Sequence, residues 1–172
     1  MKNIIFLLFI SVFSINTSLA QNKVENPKYE KKLKRLLDHD VNELSVKEVL
    51  QLDSLQDIIY LDARERNEYE VSHIDSAIWV GYDTFDVDSL KDLPKDKKIV
   101  VYCSVGYRSE KVSEKMLKAG FKDVSNLYGG IFEWVNMDQP VYNQNGETPK
   151  VHAYDENWGQ WVQKGDKVYN EK

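Results

Sequence analysis

Cysteine occurs once in the 172 residues, as Cys103, so the chain cannot close a disulfide within itself. Histidine is nearly as scarce. His39, His73 and His152 lie far apart, and none stands at metal-ligand spacing from Cys103. There is no basic block. Acidic residues number 28 against 23 basic ones, a net charge of −5, which argues against nucleic acid or an anionic membrane as a partner. Lys31-Lys32 and Lys34-Arg35 read instead as the solvated face of a helix. Internal repeats and low-complexity tracts are absent. The longest apolar run, Ile4 to Ile10 followed by Ser11-Val12-Phe13, falls short of the roughly 20 residues a spanning helix needs. No cysteine follows that run, which excludes lipid attachment there.

What is present begins with that same run. Lys2 precedes it and Ser18-Leu19-Ala20 follows it, the pattern of a secretory signal peptide cut near Ala20. An uncleaved membrane anchor is the weaker reading. Cleavage would remove Lys2, move the net charge from −5 to −6, and leave no stable membrane anchor. The expected location is then periplasmic or secreted. A lone thiol in an exported chain has three possible uses: inert and buried, half of an intermolecular bridge, or a reactive nucleophile.

Hydrophobic periodicity outlines an α/β chain. Tyr29, Leu33, Leu36 and Leu37 recur at helical spacing, predicting an amphipathic helix docked on the domain edge. Ser45 followed by Glu48 is a capping box that opens a helix to about Leu52. Ile58–Leu61 is a short apolar run, as for a strand buried on both faces; Ala77–Val80, Ile99–Tyr102 and Val124–Leu127 are further strand candidates, Ile99–Tyr102 the clearest. Helical stretches alternate with them: a charged turn over Glu65–Glu70, a brief helix over Asp86–Leu93 stopped by Pro94, a stripe of Val112, Met116, Leu117 and Phe121 ending at Gly120, and Ile131–Val135. Alternation of this kind predicts a parallel sheet covered on both sides. Residues 151–172 are rich in Tyr, Trp, Asp and Lys and of unknown shape. Tyr154, Trp158 and Trp161 there read more readily as packing than as a contact surface.

The chemistry concentrates in Cys103-Ser104-Val105-Gly106-Tyr107-Arg108-Ser109, between the clearest strand and the clearest amphipathic helix. Ligands of open parallel sheets gather beyond the carboxyl ends of the strands, where Cys103 falls. The next helix turns its free amides and positive end toward the loop, and Gly106 lets successive N–H groups curl into an anion cup. Those surroundings favour the thiolate, the nucleophilic form of cysteine. Arg108 adds a guanidinium fork suited to an oxyanion. The bland alternative is a buried, inert cysteine with Arg108 as a solvated helix-start residue.

Three segments, in order, resemble the rhodanese-like, or sulfurtransferase, family. Leu61-Asp62-Ala63-Arg64-Glu65, continuing through Glu68-Tyr69, His73-Ile74 and Ala77-Ile78, is similar to the family's first motif. The cysteine loop is the second. Leu127-Tyr128-Gly129-Gly130-Ile131 with Trp134 and Pro140-Val141 is similar to its ending. Ser72 and Ser76 stand where the family usually has glycine, and Ser104 where efficient thiosulfate users often carry a basic residue. The resemblance implies a rhodanese-like α/β fold, a central parallel sheet of about five strands flanked by helices on both faces. It divides the chain into a signal peptide (1–20), a helical extension (21–40), the rhodanese-like domain (41–142) and a C-terminal extension (143–172). It further implies that Cys103 takes a sulfane sulfur as a persulfide, from thiosulfate or another donor, and passes it to a thiol or cyanide. The partners would be a small sulfur-containing anion and a thiol acceptor, without nucleic acid. No metal or organic cofactor is implied. On this reading the amides of Ser104 to Ser109 hold the substrate, Arg108 steadies an anion, and Asp62, Arg64 and His73 are supports. A non-catalytic binding or thiol-sensing module is the alternative. A phosphatase fits less well, because four residues, not five, separate Cys103 from Arg108.

Overall fold

A strand with apolar residues on consecutive positions must be covered on both faces, and Lys98–Tyr102 (β4) is the central case. Its side chains alternate: Ile99 and Val101 enter one hydrophobic cluster, Val100 and Tyr102 the other. In this computed structural model, which describes residues 22–54 and 57–169, β4 lies in the middle of a five-stranded sheet. Asp123–Leu127 (β5) and Ile59–Asp62 (β2) flank it, then Asn42–Leu44 (β1) and Ile78–Trp79 (β3) at the edges, and every pairing is parallel. The expected signal peptide lies outside the described residues.

The helices divide between the faces. Pro27–Leu36 (α1), Val46–Asp53 (α2) and Gly130–Asn136 (α5) supply Tyr29, Leu33, Val46, Val49, Ile131 and Phe132 to the cluster of Val100 and Tyr102. Tyr107–Lys118 (α4) brings Val112 and Met116 to the opposite cluster, where Tyr82, Phe85 and Leu90 of the long β3–β4 connection join it. The capping box that opens α2 is formed, with Ser45 Oγ accepting from Glu48 N–H and Glu48 Oε2 from Ser45 N–H. Arg66–Val71 (α3) realises the charged turn.

α1 docks through the apolar stripe its periodicity predicts: Tyr29 and Leu33 are fully buried, and Tyr29 Oη donates to Gly129 O at 2.9 Å. Two expectations change. The helix over Asp86–Leu93 shortens to a 3₁₀ turn at Val87–Leu90, where Asp86 Oδ1 accepts from Asp88 N–H. The C-terminal segment has a definite shape. Val141–Asn143 (β6) and Gly146–Thr148 (β7) form a hairpin, and Lys150–His152 (β8) pairs in parallel with Asp166–Val168 (β9) around Glu156–Gly159 (α6). Val151, Ala153 and Val162 enter the main core.

Candidate active site

Cys103 follows β4 directly and is 1% exposed, with its carbonyl fixed by Ile131 N–H of α5 at 2.9 Å. That backing requires a close approach. A Cβ on Gly130 would stand 2.4 Å from Cys103 O and 2.6 Å from Ser104 O. On the other side of the turn Gly106, at φ +119°, begins α4, and its N–H points at Cys103 Sγ at 3.2 Å. The thiol thus lies at the bottom of a cup between the start of α4 and the start of α5.

Above it opens a cleft of about 470 Å³ lined by Cys103, Ser104, Val105, Tyr107 and Arg108 from the loop. Its remaining walls come from elsewhere: Leu36 of α1, Glu65, Tyr82 and Asp83, and Tyr154 and Trp158 of the C-terminal segment. The Tyr154 ring lies over the Arg108 guanidinium at 5.3 Å, on a backbone held at φ 65°, a region that disfavours a side chain of this size. Its N–H donates to His152 Nδ1, which lies 3.9 Å from Glu68 Oε1.

The buried charges of the site are paired with one another. Arg108 forks onto Glu68 with Nη1–Oε2 at 2.6 Å and Nη2–Oε1 at 2.9 Å, and Ser104 Oγ bridges the two, donating to Glu68 and accepting from Arg108. Burial alone would raise the Glu68 carboxyl. The hydrogen bonds and charge of Arg108, with Arg64 behind it, outweigh burial and hold it below its ordinary value. Arg108 is therefore not a free cation waiting for an oxyanion, as its place in the sequence suggested, because its positive charge is already matched by a carboxylate. Asp62 and Arg64 form a second pair, both 0% exposed, with Nη2–Oδ2 at 2.6 Å. Arg64 also donates to Ser72 O, so the pair braces the strand ends and does not line the cleft.

The Ser109 side chain is fully buried, its hydroxyl donating to Asn126 Oδ1 at 2.7 Å with Gly106 O also near at 3.1 Å, so what Ser109 can offer the cup is its amide in the first turn of α4. His73 lies in a different hollow, its ring stacked on Tyr69 at 4.0 Å and its backbone bridged to Tyr142. Tyr154 and Trp158, which read from the sequence more readily as packing than as a contact surface, are walls of the cleft; they carry no motif, and they join Cys103 there only through the packing of a segment some fifty positions away.

A family model for the rhodanese-like domain matches residues 45–137, and the chain belongs to that family. A solved rhodanese-like domain from Anabaena is similar at TM-score 0.53 and 25% identity, covering 60% of this chain and 78% of that one. Among curated relatives, the tRNA uridine(34) hydroxylase of Hamiltonella defensa is 37% identical over 72% of this chain and 36% of its own. The tRNA uridine(34) hydroxylase of Photorhabdus laumondii is 42% identical over 69% of this chain and 35% of its own. The chain thus spans about a third of the length of these relatives.

These relatives overturn two expectations. Sulfur transfer from thiosulfate or another sulfane donor through a Cys103 persulfide is not the activity for which they are named. A partner list confined to a small sulfur anion and a thiol, without nucleic acid, fails on the same names. The motifs define a fold and a thiol cup that serve more than one reaction, which is why they misdirected the reading. The relatives support an enzyme of the rhodanese family.

Proposed function

We propose that this chain is a catalytic domain acting on a uridine of tRNA, with Cys103 as the nucleophile. The observation that carries the reading is the cleft itself: a cysteine at the floor and Tyr82, Tyr107, Tyr154 and Trp158 as walls, on a scale suited to one flipped-out base. Aromatic side chains hold such bases by stacking. Glu65 and Asp83 also line the cleft, and a carboxylate there is an acceptor for the imide N–H of uracil.

A thiolate is a competent nucleophile for C6 of uracil, the electron-poor end of its conjugated carbonyl. Addition there makes C5 an enolate carbon. C5 takes an oxygen atom from a hydroperoxide, which leaves as hydroxide or alkoxide. Loss of the C5 proton and expulsion of the thiolate from C6 then restore the ring. The loop's part is to present sulfur: Gly106 N–H supports Sγ, and the Arg108–Glu68–Ser104 network holds the turn rigid.

The test is nucleoside mass analysis of tRNA after incubation with the protein and a hydroperoxide. One added oxygen on uridine 34, absent with Cys103→Ser, is the expected result. RNA carrying 5-fluorouridine should in addition trap a covalent adduct on Cys103, since fluorine cannot leave as the proton does. A folded protein giving neither product would sink the proposal.

A further inference from the structure

The chain is acidic as a whole, yet one face of α1 carries only positive charge. Lys28, Lys31, Lys32 and Arg35 are all exposed, and their spacing of three, four and seven places them on one side of the helix. Among the described residues none of these four takes part in an ion pair; the helix's buried carboxylate, Glu30, is matched by Lys34 at 3.0 Å. With Leu36 and Trp161 the four side chains line a shallow groove that contains no carboxylate.

That groove lies beside the candidate active site. Leu36 lines both hollows. Lys32 Nζ lies 5.0 Å over the ring of Trp158, which is itself a wall of the cleft, and Trp161 stacks on Tyr29 beneath the helix at 5.2 Å. Cations interleaved with aromatic rings form the surface that single-stranded nucleic acid takes: phosphates on the charges, bases on the rings. An anionic membrane would need large apolar side chains to insert, and the exposed ones, Ile78, Tyr107, Tyr154 and Tyr169, all lie outside the stripe.

We infer that the α1 stripe of Lys28, Lys31, Lys32 and Arg35, continued by Trp158, binds the phosphate backbone of a single-stranded RNA segment whose target base enters the Cys103 cleft. This rests on the reading of the chain as acting on tRNA, and it names where the RNA outside the reacting base is held. The net charge of the chain is negative, so a basic stripe beside the cleft would orient the RNA as well as hold it.

The experiment is fluorescence anisotropy of a labelled anticodon stem-loop RNA titrated with the full chain across a salt series. Three or four phosphates on single-stranded RNA give a log–log slope of about −2 to −3, or roughly twenty- to sixty-fold weaker binding between about 50 and 200 mM salt. Changing Lys28, Lys31, Lys32 and Arg35 together to Gln should weaken binding about ten-fold or more at low salt and flatten the slope toward zero. The charge-matched control changes Lys91, Lys97, Lys118 and Lys122 to Gln, all exposed outside the stripe, and should retain the wild-type slope. Circular dichroism checks that each variant is folded.

The inference falls if the wild type does not bind the RNA at low salt, or if both variants weaken it equally. It falls also if phosphatidylglycerol vesicles, and not RNA, bind in a stripe-dependent way. The uridine reading is judged separately by the 5-fluorouridine adduct. Stripe-dependent binding without any adduct would leave the backbone site standing and remove the reaction, and an adduct without stripe dependence would do the reverse.

Discussion

Two groups of cations flank the thiol cup and are treated in opposite ways. Arg64 and Arg108 are buried or nearly so, and each is locked onto a carboxylate within three ångströms. Lys28, Lys31, Lys32 and Arg35 stand in solvent a few residues from the cleft with no carboxylate partner among the described residues. Desolvating an arginine is tolerable only when a paired carboxylate and further acceptors replace the lost water, so the inner pairs are committed to structure, Arg108 with Glu68 to the loop and Arg64 with Asp62 to the strand ends. Exposed lysines keep their water and lose little by staying unpaired, which leaves their charge available to another molecule. Inner charge builds the site, and outer charge faces whatever enters it.

Breaking an inner pair should have the largest effect. Asp62→Ala leaves Arg64 charged and fully buried, and removal of one partner from a buried pair is destabilising by about 3–5 kcal/mol. Urea denaturation would read this as a large fall in midpoint, and a fall no larger than that of a surface substitution would show that water reaches Arg64 after all.

A milder break is Glu68→Gln, which keeps the shape of the side chain but withdraws the charge opposite Arg108. Loss of hydrogen bonds to a charged partner is worth about 1.5–3 kcal/mol. Its pH dependence sharpens the point. The folded carboxyl lies below its ordinary value of 4.5, so its contribution to stability is fully present above that value and is lost as pH falls through the folded one. Wild type should therefore exceed Glu68→Gln at neutral pH, and the gap should narrow in acid. A gap independent of pH would mean that packing, not charge, is what Glu68 supplies.

The elements nearest the chemistry were legible because their signals are local. β4 is a run of apolar residues, α4 has a stripe at helical spacing, and Ser45 with Glu48 makes its capping box within a single turn. Cys103 at the end of the central strand follows from the same reading. What could not be read depends on distant neighbours. Arg108 looks free until Glu68, forty positions earlier, folds against it. Tyr154 and Trp158 belong to a segment of scattered aromatics whose place is set by Val151, Ala153 and Val162 entering a core built mostly by other elements. The net −5 outweighed a local feature: Lys31-Lys32 and Lys34-Arg35 read from the sequence as a solvated helix face, and only the fold shows Lys28, Lys31, Lys32 and Arg35 lining one groove without a carboxylate. The reaction was misjudged because a cysteine loop specifies how sulfur is presented, while the walls that select a substrate come from outside it.

The outer group should give the smallest change in stability, and that is the most direct way to break the comparison. Changing Lys28, Lys31, Lys32 and Arg35 to Gln removes no ion pair between described residues, and Gln is a helix former about as good as Lys. Lys32 is the one member with a contact to lose, its approach to Trp158, worth about 0.5–1 kcal/mol where exposed. The combined variant is thus expected to unfold within about 1 kcal/mol of the wild type, since surface substitutions away from packed features usually fall within ±0.5 kcal/mol. A loss of several kcal/mol would mean that these side chains hold α1 against the tail, so that they belong with the buried arginines. Near-neutral stability would leave their charge with no structural task inside the fold.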